Sequence, residues 1–138
     1  MVIDASGLII GRLSSHVAKS LLKDDNLEVA IINSEKAIVS GNRKMVIDDF
    51  IAKRALNHPR KGPNYPRMPD MILKRTIRGM LPYQKPRGRE AYKRVKTYIG
   101  TPKEFEKSKL SKVPTAANKG LHQFVTLEEI SRILGAKI

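Results

Sequence analysis

The sequence predicts an α/β domain built around a parallel sheet, and three consecutive patterns support this. Residues 2–4 form a short apolar piece that ends at an aspartate and leads into the turn-forming residues 5–7, as expected of a strand. The next apolar residues lie three or four positions apart, the period of an amphipathic helix: Ile10, Leu13, Val17 and Leu21. Residues 29–32 are a continuous apolar run, typical of a buried strand. Strand, helix and strand in this order form a βαβ unit, whose two strands are parallel.

The segment after this unit predicts a second helix. Residues 37–40 are apolar, but too few residues separate them from the preceding strand for a parallel crossover. Whether they return as a strand or form an irregular edge stays open. Residues 40–42 offer a helix cap, and the helix is predicted to continue to about Leu56, before the His58-Pro59 step. Its predicted buried residues are Ile47, Phe50, Ile51 and Ala55.

A third helix is predicted from Pro69, because proline suits the first helical position and Asp70 suits the first turn. Its predicted core side comprises Leu73, Ile77, Met80 and Leu81, and Met68 and Met71 are expected to fill the core as Met80 does. Residues 85–89, Lys-Pro-Arg-Gly-Arg, are predicted to form a contact loop, since glycine lets the backbone approach a ligand closely. A short helix at residues 90–94 and a strand at residues 95–99 follow.

Two parts of the chain differ in character. Residues 1–100 are predicted to form the α/β domain, and residues 101–138 a C-terminal extension. Residues 101–124 hold five lysines and few large apolar side chains, which favours an extension over a core element. Thr126 and Glu129 make a Thr-x-x-Glu capping box and Gly135 supplies a stop, so a short helix is predicted over residues 126–134.

The composition argues against several classes of protein. Cysteine is absent, and the three histidines lie at no metal-ligand spacing, so we expect no disulfide and no metal site. The acidic pairs at residues 24–25, 48–49 and 128–129 occupy adjacent positions, which point apart on a helix. We therefore expect neither an enzyme nor a cofactor. No apolar run approaches the roughly 20 residues of a membrane span, and no secretion signal is visible. A cytoplasmic protein is the expectation.

Residues 53–94 carry the strongest functional signal. This segment holds thirteen of the 27 Lys and Arg residues, only two acids and six of the eight prolines. Its formal charge is +11, out of +14 for the chain. A stiff, self-repelling segment of this kind is best tolerated beside a polyanion, and nucleic acid is the commonest one. Aromatic residues are few, which favours contact through phosphates and shape over serial base stacking.

Arginine outnumbers lysine in this segment, and guanidinium groups match phosphate oxygens two at a time. A solvated surface would intersperse acids, which are nearly missing here. His58 and Tyr65 could each stack on a base or pack on the neighbouring prolines. The basic stripe of the first helix, which includes Arg12, could flank the main site or be merely solvated.

Three stretches of the sequence resemble one known family. RMPDMILKRTIRGMLPYQKPRGREAYKRVKTYIGTP, residues 67–102, resembles the signature region of the ribosomal protein L13 family of the large subunit, with RGMLP at its centre. VIDASGLIIGRLSSHVAKSLL, residues 2–22, and IINSEKAIVSGNR, residues 31–43, resemble the opening of that family. Prolines in the loop after the second helix, and a start almost at the first strand, resemble its archaeal branch.

The resemblance implies a three-layer α/β/α fold with a mainly parallel sheet of about four strands. It also implies large-subunit ribosomal RNA and neighbouring ribosomal proteins as partners, with a role in early subunit assembly. Together with the basic segment, it gives fifteen candidate RNA-binding residues: Arg12, Lys53, Arg54, His58, Arg60, Lys61, Arg67, Lys74, Arg75, Arg78, Lys85, Arg87, Arg89, Lys93 and Arg94.

Two other functions are alternatives to a structural ribosomal role. A free regulatory or maturation factor would bind messenger or precursor RNA through the same basic segment. A nucleotide-using α/β enzyme would need a phosphate-binding loop, and the Gly-x-x-x-Gly-Arg at residues 7–12 matches neither the dinucleotide fingerprint nor a phosphate loop.

Overall fold

A computed structural model describes residues 1–56, 60 and 64–138. The described elements, in chain order, are β1 (Val2–Asp4), α1 (Ile10–Lys23), β2 (Val29–Ile32), β3 (Ile38–Ser40), α2 (Arg43–Ala55), α3 (Pro69–Met80), α4 (Pro86–Lys93), β4 (Val95–Thr97), β5 (Leu110–Ser111), β6 (Phe124–Thr126) and α5 (Leu127–Ile133). Short 3-10 turns lie at Ser34–Lys36 and Lys103–Phe105.

The central sheet has four strands in the order β4-β2-β1-β5, and every neighbouring pair is parallel. Ile3 of β1 lies opposite Ile31 of β2, and Ile31 lies opposite Thr97 of β4. The predicted strand–helix–strand unit is therefore confirmed as β1-α1-β2. The helices and this sheet have the arrangement of a three-layer α/β/α fold, which confirms the predicted fold class.

The core forms where α1 and α3 pack together and α3 meets β4. All four residues of β2 are buried, as expected for a central parallel strand covered on both faces. The periodic face of α1 is buried too, including Leu13, Val17 and Leu21. Burying a side chain of this size contributes about 1.5–3 kcal/mol, so this helix–sheet contact is a main source of stability.

Helix α2 is much more exposed than its pattern predicted. Asn42 caps it as expected, with its side-chain oxygen accepting from the Lys44 backbone N–H at 3.0 Å. Of the four residues predicted to be buried only Phe50 is, whereas Ile51 and Ala55 are exposed and Ile47 is half-buried. The prediction for Ile51 and Ala55 was wrong, because no described element covers that side of the helix.

Helix α3 begins at Pro69 as predicted and buries Ile72, Leu73 and Ile77. Leu81, just after the helix, is buried as well. The methionine prediction was wrong for two residues, since Met71 is 49% exposed and Met80 41% exposed. Ile72 takes the core position instead, and Met80 lies in the last turn, where the chain leaves the core.

Residues 37–40 contain strand β3, which stands outside the central sheet. β3 pairs antiparallel with β6, with Val39 opposite Val125, in a separate sheet of two strands. Of the two alternatives left open by the sequence, a returning strand or an irregular edge, the strand is therefore correct. Its partner lies more than 80 residues further along the chain, which local pattern does not reveal.

Residues 101–138 contribute to the fold more than an extension would. Leu110–Ser111 forms the edge strand β5 beside β1, and Val113 and Ala116 are buried in the core. The predicted C-terminal helix is present as α5, where the Thr126 hydroxyl accepts from the Glu129 backbone N–H at 3.3 Å. Gly135 follows with a φ of +88°, the left-handed conformation of a helix stop. In the described ranges, no helix combines the length and apolar character that crossing a membrane requires.

Candidate nucleic-acid interface

Helix α3 presents two different faces. One is apolar and packs against α1 and β4. The other carries Lys74, Arg75 and Arg78. Arg78 lies four positions after Lys74 and three after Arg75, so it neighbours both on this side of the helix. All three are half-buried along their length. The apolar face thus fixes the direction in which these three cations point.

Each of the three cations lies over a different tyrosine ring. The Lys74 ammonium is 5.2 Å from the ring centre of Tyr92. The Arg75 guanidinium carbon is 4.7 Å from the centre of Tyr65, and that of Arg78 is 4.5 Å from the centre of Tyr83. Cations within about 6 Å of a ring are attracted to its face. We name Lys74, Arg75 and Arg78, with Tyr65, Tyr83 and Tyr92, the tyrosine-backed cluster.

The tyrosines are themselves held in place by other rings. Tyr83 and Tyr92 meet edge to face, with centres 5.5 Å apart and planes at 88°. Tyr65 meets Phe50 of α2 edge to face at 5.9 Å. Burial raises the pKa of Tyr65 and of Tyr92 above the usual value, against the opposing effect of nearby cations. The rings therefore stay neutral and keep their stacking faces at physiological pH.

The turn between α3 and α4 is compact, and residues 85–89 are not a loop. Pro86 is the first residue of α4, so four of the five residues predicted as a contact loop form the first turn of that helix. Proline's fixed φ and missing N–H suit that position. The Lys85 backbone N–H donates to the Pro82 carbonyl at 2.9 Å, which closes the turn.

Gly88 allows α4 to lie very close to the turn that precedes it. A Cβ placed on Gly88 would lie 2.1 Å from the Pro82 carbonyl oxygen and 2.4 Å from its carbon. No other residue fits there without moving the backbone. The sequence predicted that glycine lets the backbone approach a ligand here, whereas the close approach described at Gly88 is to the chain's own backbone.

An open cleft of about 470 Å³ lies at this turn. It is lined by the end of α3 and the turn, including Arg78, Tyr83 and Lys85. The turn therefore brings the last cation of α3 to the same concave surface as the residue preceding α4. A concave surface with guanidinium and ammonium groups on its wall suits a phosphate.

Arg94 and Arg87 bind the end of α1. The Arg94 guanidinium donates to the backbone carbonyls of Asp24 at 2.8 Å, Leu27 at 3.0 Å and Leu21 at 3.3 Å, and its side chain is only 17% exposed. Arg87 donates to the Leu22 carbonyl. Cations are favourable at a helix C-terminus, where carbonyls lack partners. Both side chains thus fasten α4 to α1.

The structure brings some of the fifteen candidate RNA-binding residues together and places the others elsewhere. Lys85, Arg89 and Lys93 are exposed on or beside α4. Lys85 shares the cleft of Arg78 and Tyr83, whereas Lys93 lines another cleft with Asp25 and Glu90. Lys53 and Arg54 end α2, where Lys53 pairs with Asp49 and Arg54 donates to the Tyr65 carbonyl.

The remaining candidates lie at other places. Arg67 has its guanidinium beside Gly135, after α5. Arg60 is exposed in a turn, and Arg12 is exposed in the first turn of α1, about ten residues or 15 Å along the axis from the end that α4 contacts. His58 and Lys61 lie outside the described residues.

Most cations of the candidate interface have no carboxylate partner among the described residues. Within the part of the chain that the structure describes, Lys74, Arg75, Arg78, Lys85, Arg89 and Lys93 form no ion pair with a carboxylate. Of the fifteen candidates, the ion pairs described involve Lys53, Arg87 and Arg94. The positive potential of the six unpaired groups therefore faces outward. No group of His, Asp or Glu suited to a metal ion is found among the described residues.

The stacking of tyrosines on cations is the main feature of this surface that the sequence did not predict. The low number of aromatic residues in the whole chain does not reveal it. Their local concentration was the available signal, because three of the four tyrosines, Tyr65, Tyr83 and Tyr92, fall within residues 53–94. Their structural role differs from the one considered for Tyr65, since they stack on the chain's own cations.

Comparison with known proteins decides the family. Residues 1–104 match the family described as Ribosomal protein L13. The chain belongs to the ribosomal protein L13 family. This confirms the resemblance seen in the sequence. L13 is a family of structural proteins rather than enzymes, in agreement with the expectation for this chain.

Similar L13 proteins occur in archaea. A protein of Methanocaldococcus jannaschii named large ribosomal subunit protein uL13 is 46% identical over 140 residues, covering 99% of this chain and 98% of that protein. Proteins of the same name from Methanococcoides burtonii and Archaeoglobus fulgidus are 44% and 42% identical, covering 99% and 97% of this chain and 98% and 86% of their own lengths. The archaeal character expected of this L13 chain is thereby supported.

Proposed function

We propose that this chain is a structural constituent of the large ribosomal subunit and binds large-subunit ribosomal RNA through the tyrosine-backed cluster and the exposed cations of α4. Its partners are that RNA and neighbouring ribosomal proteins, its location is the ribosome in the cytoplasm, and its role includes early assembly of the subunit. The names of the relatives support the ribosomal part of this proposal.

The observation that carries the RNA-binding part is the fixed direction of three cations. Lys74, Arg75 and Arg78 lie on one face of a helix, each supported by a tyrosine ring, and none is neutralised by a described carboxylate. Ordering a free Lys or Arg side chain on binding costs roughly 0.5–1.5 kcal/mol. Because the rings already restrict these side chains, less ordering cost has to be met when they bind phosphates.

Other residues of the predicted set have a different part in this proposal. Arg94 and Arg87 bind carbonyls at the end of α1, so they position α4 and leave contact with RNA to Lys85, Arg89 and Lys93. Lys53 and Arg54 border the cluster through Phe50 and Tyr65. Arg12, Arg60 and Arg67, with His58 and Lys61, stay predicted contacts outside the cluster.

Salt dependence of RNA binding tests the proposal. Fragments of large-subunit ribosomal RNA are titrated with the protein at several salt concentrations between 50 and 200 mM. With six to ten phosphates contacted, affinity should fall on the order of 10³–10⁵ over this range, by analogy with duplex DNA. The variant Arg78→Glu/Arg89→Glu should reduce the slope of log affinity against log salt by about 2, since each lost phosphate contact lowers it by about 1.

The matched control reverses two charges elsewhere. Lys103→Glu/Lys107→Glu changes the net charge equally, at exposed residues that make no described contact with the cluster. Unfolding by urea verifies that both variants are folded. Equal loss of slope in the two variants would show that net charge, and not this surface, determines binding.

Sedimentation separates a ribosomal constituent from a free RNA-binding factor. A constituent remains with large subunits through a high-salt wash, and Arg78→Glu/Arg89→Glu should impair its incorporation. Recovery of most of the unaltered protein in the free fraction would contradict the proposal. Normal incorporation of a soluble double variant would contradict the role of the cluster.

A further inference from the structure

The order of the parallel sheet reverses at β1. Along the chain the strands step from β1 to β2 and on to β4, whereas β5 joins on the opposite side of β1. In open parallel sheets, ligands bind in the crevice outside the carboxyl ends of the strands where the order reverses. For this chain, that position is the space beyond the ends of β1 and β5.

A crevice of about 380 Å³ lies at this position. Its polar wall includes Asp4, the last residue of β1, Ser111, the last residue of β5, and Lys112, which follows it. Ser6 contributes as well, and the apolar lining is made by Leu8, Leu110, Val113, Pro114 and Ala117. None of these residues belongs to the tyrosine-backed cluster or to the basic segment of residues 53–94.

The Asp4 carboxylate is held in one orientation and keeps a free acceptor. Its Oδ1 accepts from the Ser6 backbone N–H at 3.0 Å, the Ser6 hydroxyl at 2.7 Å and the Asn33 side-chain amide at 3.0 Å. Burial by itself would raise the pKa of Asp4, but these hydrogen bonds outweigh it and lower that pKa. Oδ2 accepts no hydrogen bond from the described residues, so an ionised oxygen remains for an external donor.

Charge around the crevice indicates which kind of donor fits. Lys36 acts electrostatically on Asp4, and Lys112 lines the same crevice, so two cations accompany one carboxylate at this site. A cationic ligand would be repelled by both lysines. A ligand that combines a neutral hydroxyl donor with an anionic group satisfies the carboxylate and the lysines at once.

We propose that this crevice binds a ribonucleotide unit, with a ribose hydroxyl donating to Asp4, the phosphate on Lys112 and the base against the apolar wall of Leu8 and Pro114. The unit is either a free nucleotide or one nucleotide of an RNA chain, since both present the same groups. The site is a binding site only, and it is separate from the proposed RNA interface.

Binding is tested on the full chain by NMR with adenosine 5′-monophosphate as the probe. Backbone amide signals at Asp4, Leu8 and Lys112 should shift and saturate, with half-saturation on the order of 1 mM. Lys112→Gln should weaken binding about tenfold, because it removes a charge-assisted contact to phosphate. Lys109→Gln is the control, since Lys109 is an exposed lysine three residues away that does not line the crevice.

The ribose contact is tested without altering the protein. 2′,3′-Dideoxyadenosine monophosphate lacks both hydroxyl donors and should bind about tenfold more weakly than the ribonucleotide. The Asp4→Asn variant, where folded, should lose this preference. The Arg78→Glu/Arg89→Glu variant should bind the nucleotide as the unaltered chain does, which separates this site from the RNA interface.

Two sources of the nucleotide give different results. A short oligoadenylate that shifts the same three signals at lower concentration than the mononucleotide identifies RNA as the source, and a mononucleotide that alone shifts them identifies a free nucleotide. The proposal is overturned when no saturable shift occurs at these residues, when the dideoxynucleotide binds equally well, or when Lys109→Gln weakens binding as much as Lys112→Gln.

Discussion

Replacing Gly88 by alanine tests the close contact between α4 and the turn at Pro82. The new Cβ would lie 2.1 Å from the Pro82 carbonyl oxygen, whereas real Cβ atoms essentially never approach another atom within 3.0 Å. The backbone of α4 must therefore retreat by about 1 Å, since the obstructing atom is itself backbone.

The expected cost follows from two opposing terms. Overpacking of a tight contact costs about 1–3 kcal/mol. Alanine gains up to about 1 kcal/mol over glycine inside a helix, and less here because Gly88 lies in the first turn of α4. We expect a net loss of roughly 2 kcal/mol in the free energy of unfolding, which lowers Tm by roughly 6 °C for a domain of this size.

Gly79→Ala is the matched control, because Gly79 lies in α3 and a Cβ there meets nothing within 4 Å. It should leave stability unchanged or raise it by up to about 1 kcal/mol. Urea unfolding followed by circular dichroism gives both values, and the near-ultraviolet tyrosine signal should change in Gly88→Ala alone. Equal stability of the two variants would refute the close contact between Gly88 and Pro82.

Three further predictions concern single groups. Arg94→Met should lower the free energy of unfolding, measured by urea unfolding, by about 2–3 kcal/mol, because three backbone carbonyls at and after the end of α1 lose a charged donor. Lys93→Met, at an exposed residue, should change it by less than about 0.5 kcal/mol. The raised pKa of Tyr65 and Tyr92 in the folded state should make stability fall as the pH rises above about 10, and absorbance titration should show these two phenols ionising at a higher pH in the folded protein than in the urea-unfolded protein. The lowered pKa of Asp4 should contribute stability above about pH 4 that is lost as the pH falls through its folded value, so Asp4→Asn should flatten the acid side of the stability curve; an unchanged acid side would contradict this.

Sequence pattern predicted those elements whose partner lies nearby in the chain. The period of α1 and the apolar run of β2 were sufficient, because both are buried within a single βαβ unit. Helix α2 shows the limit of the same reasoning. Its apolar residues have helical spacing, but spacing does not reveal whether another element covers them, and Ile51 remains exposed.

Long-range pairing accounts for most of what was not predicted in the fold. β5 has only two residues, and β6 pairs with a strand more than 80 residues earlier, so neither leaves a local signal. The candidate interface was likewise predicted only in part. Its positive charge was visible in the composition. The stacking of Arg78 on Tyr83, and of Lys74 on Tyr92, depends on the turn between α3 and α4, which composition does not show.

The position of β5 at the edge of the sheet has a consequence for how the protein is made. A ribosome that has translated only the first hundred residues holds a nascent chain in which one side of β1 has no neighbour, since β5 follows later. Val125, Leu127 and Ile130, which complete the core, emerge later still. The nascent polypeptide therefore exposes an unpaired strand edge, a site prone to aggregation, until β5 has left the exit tunnel.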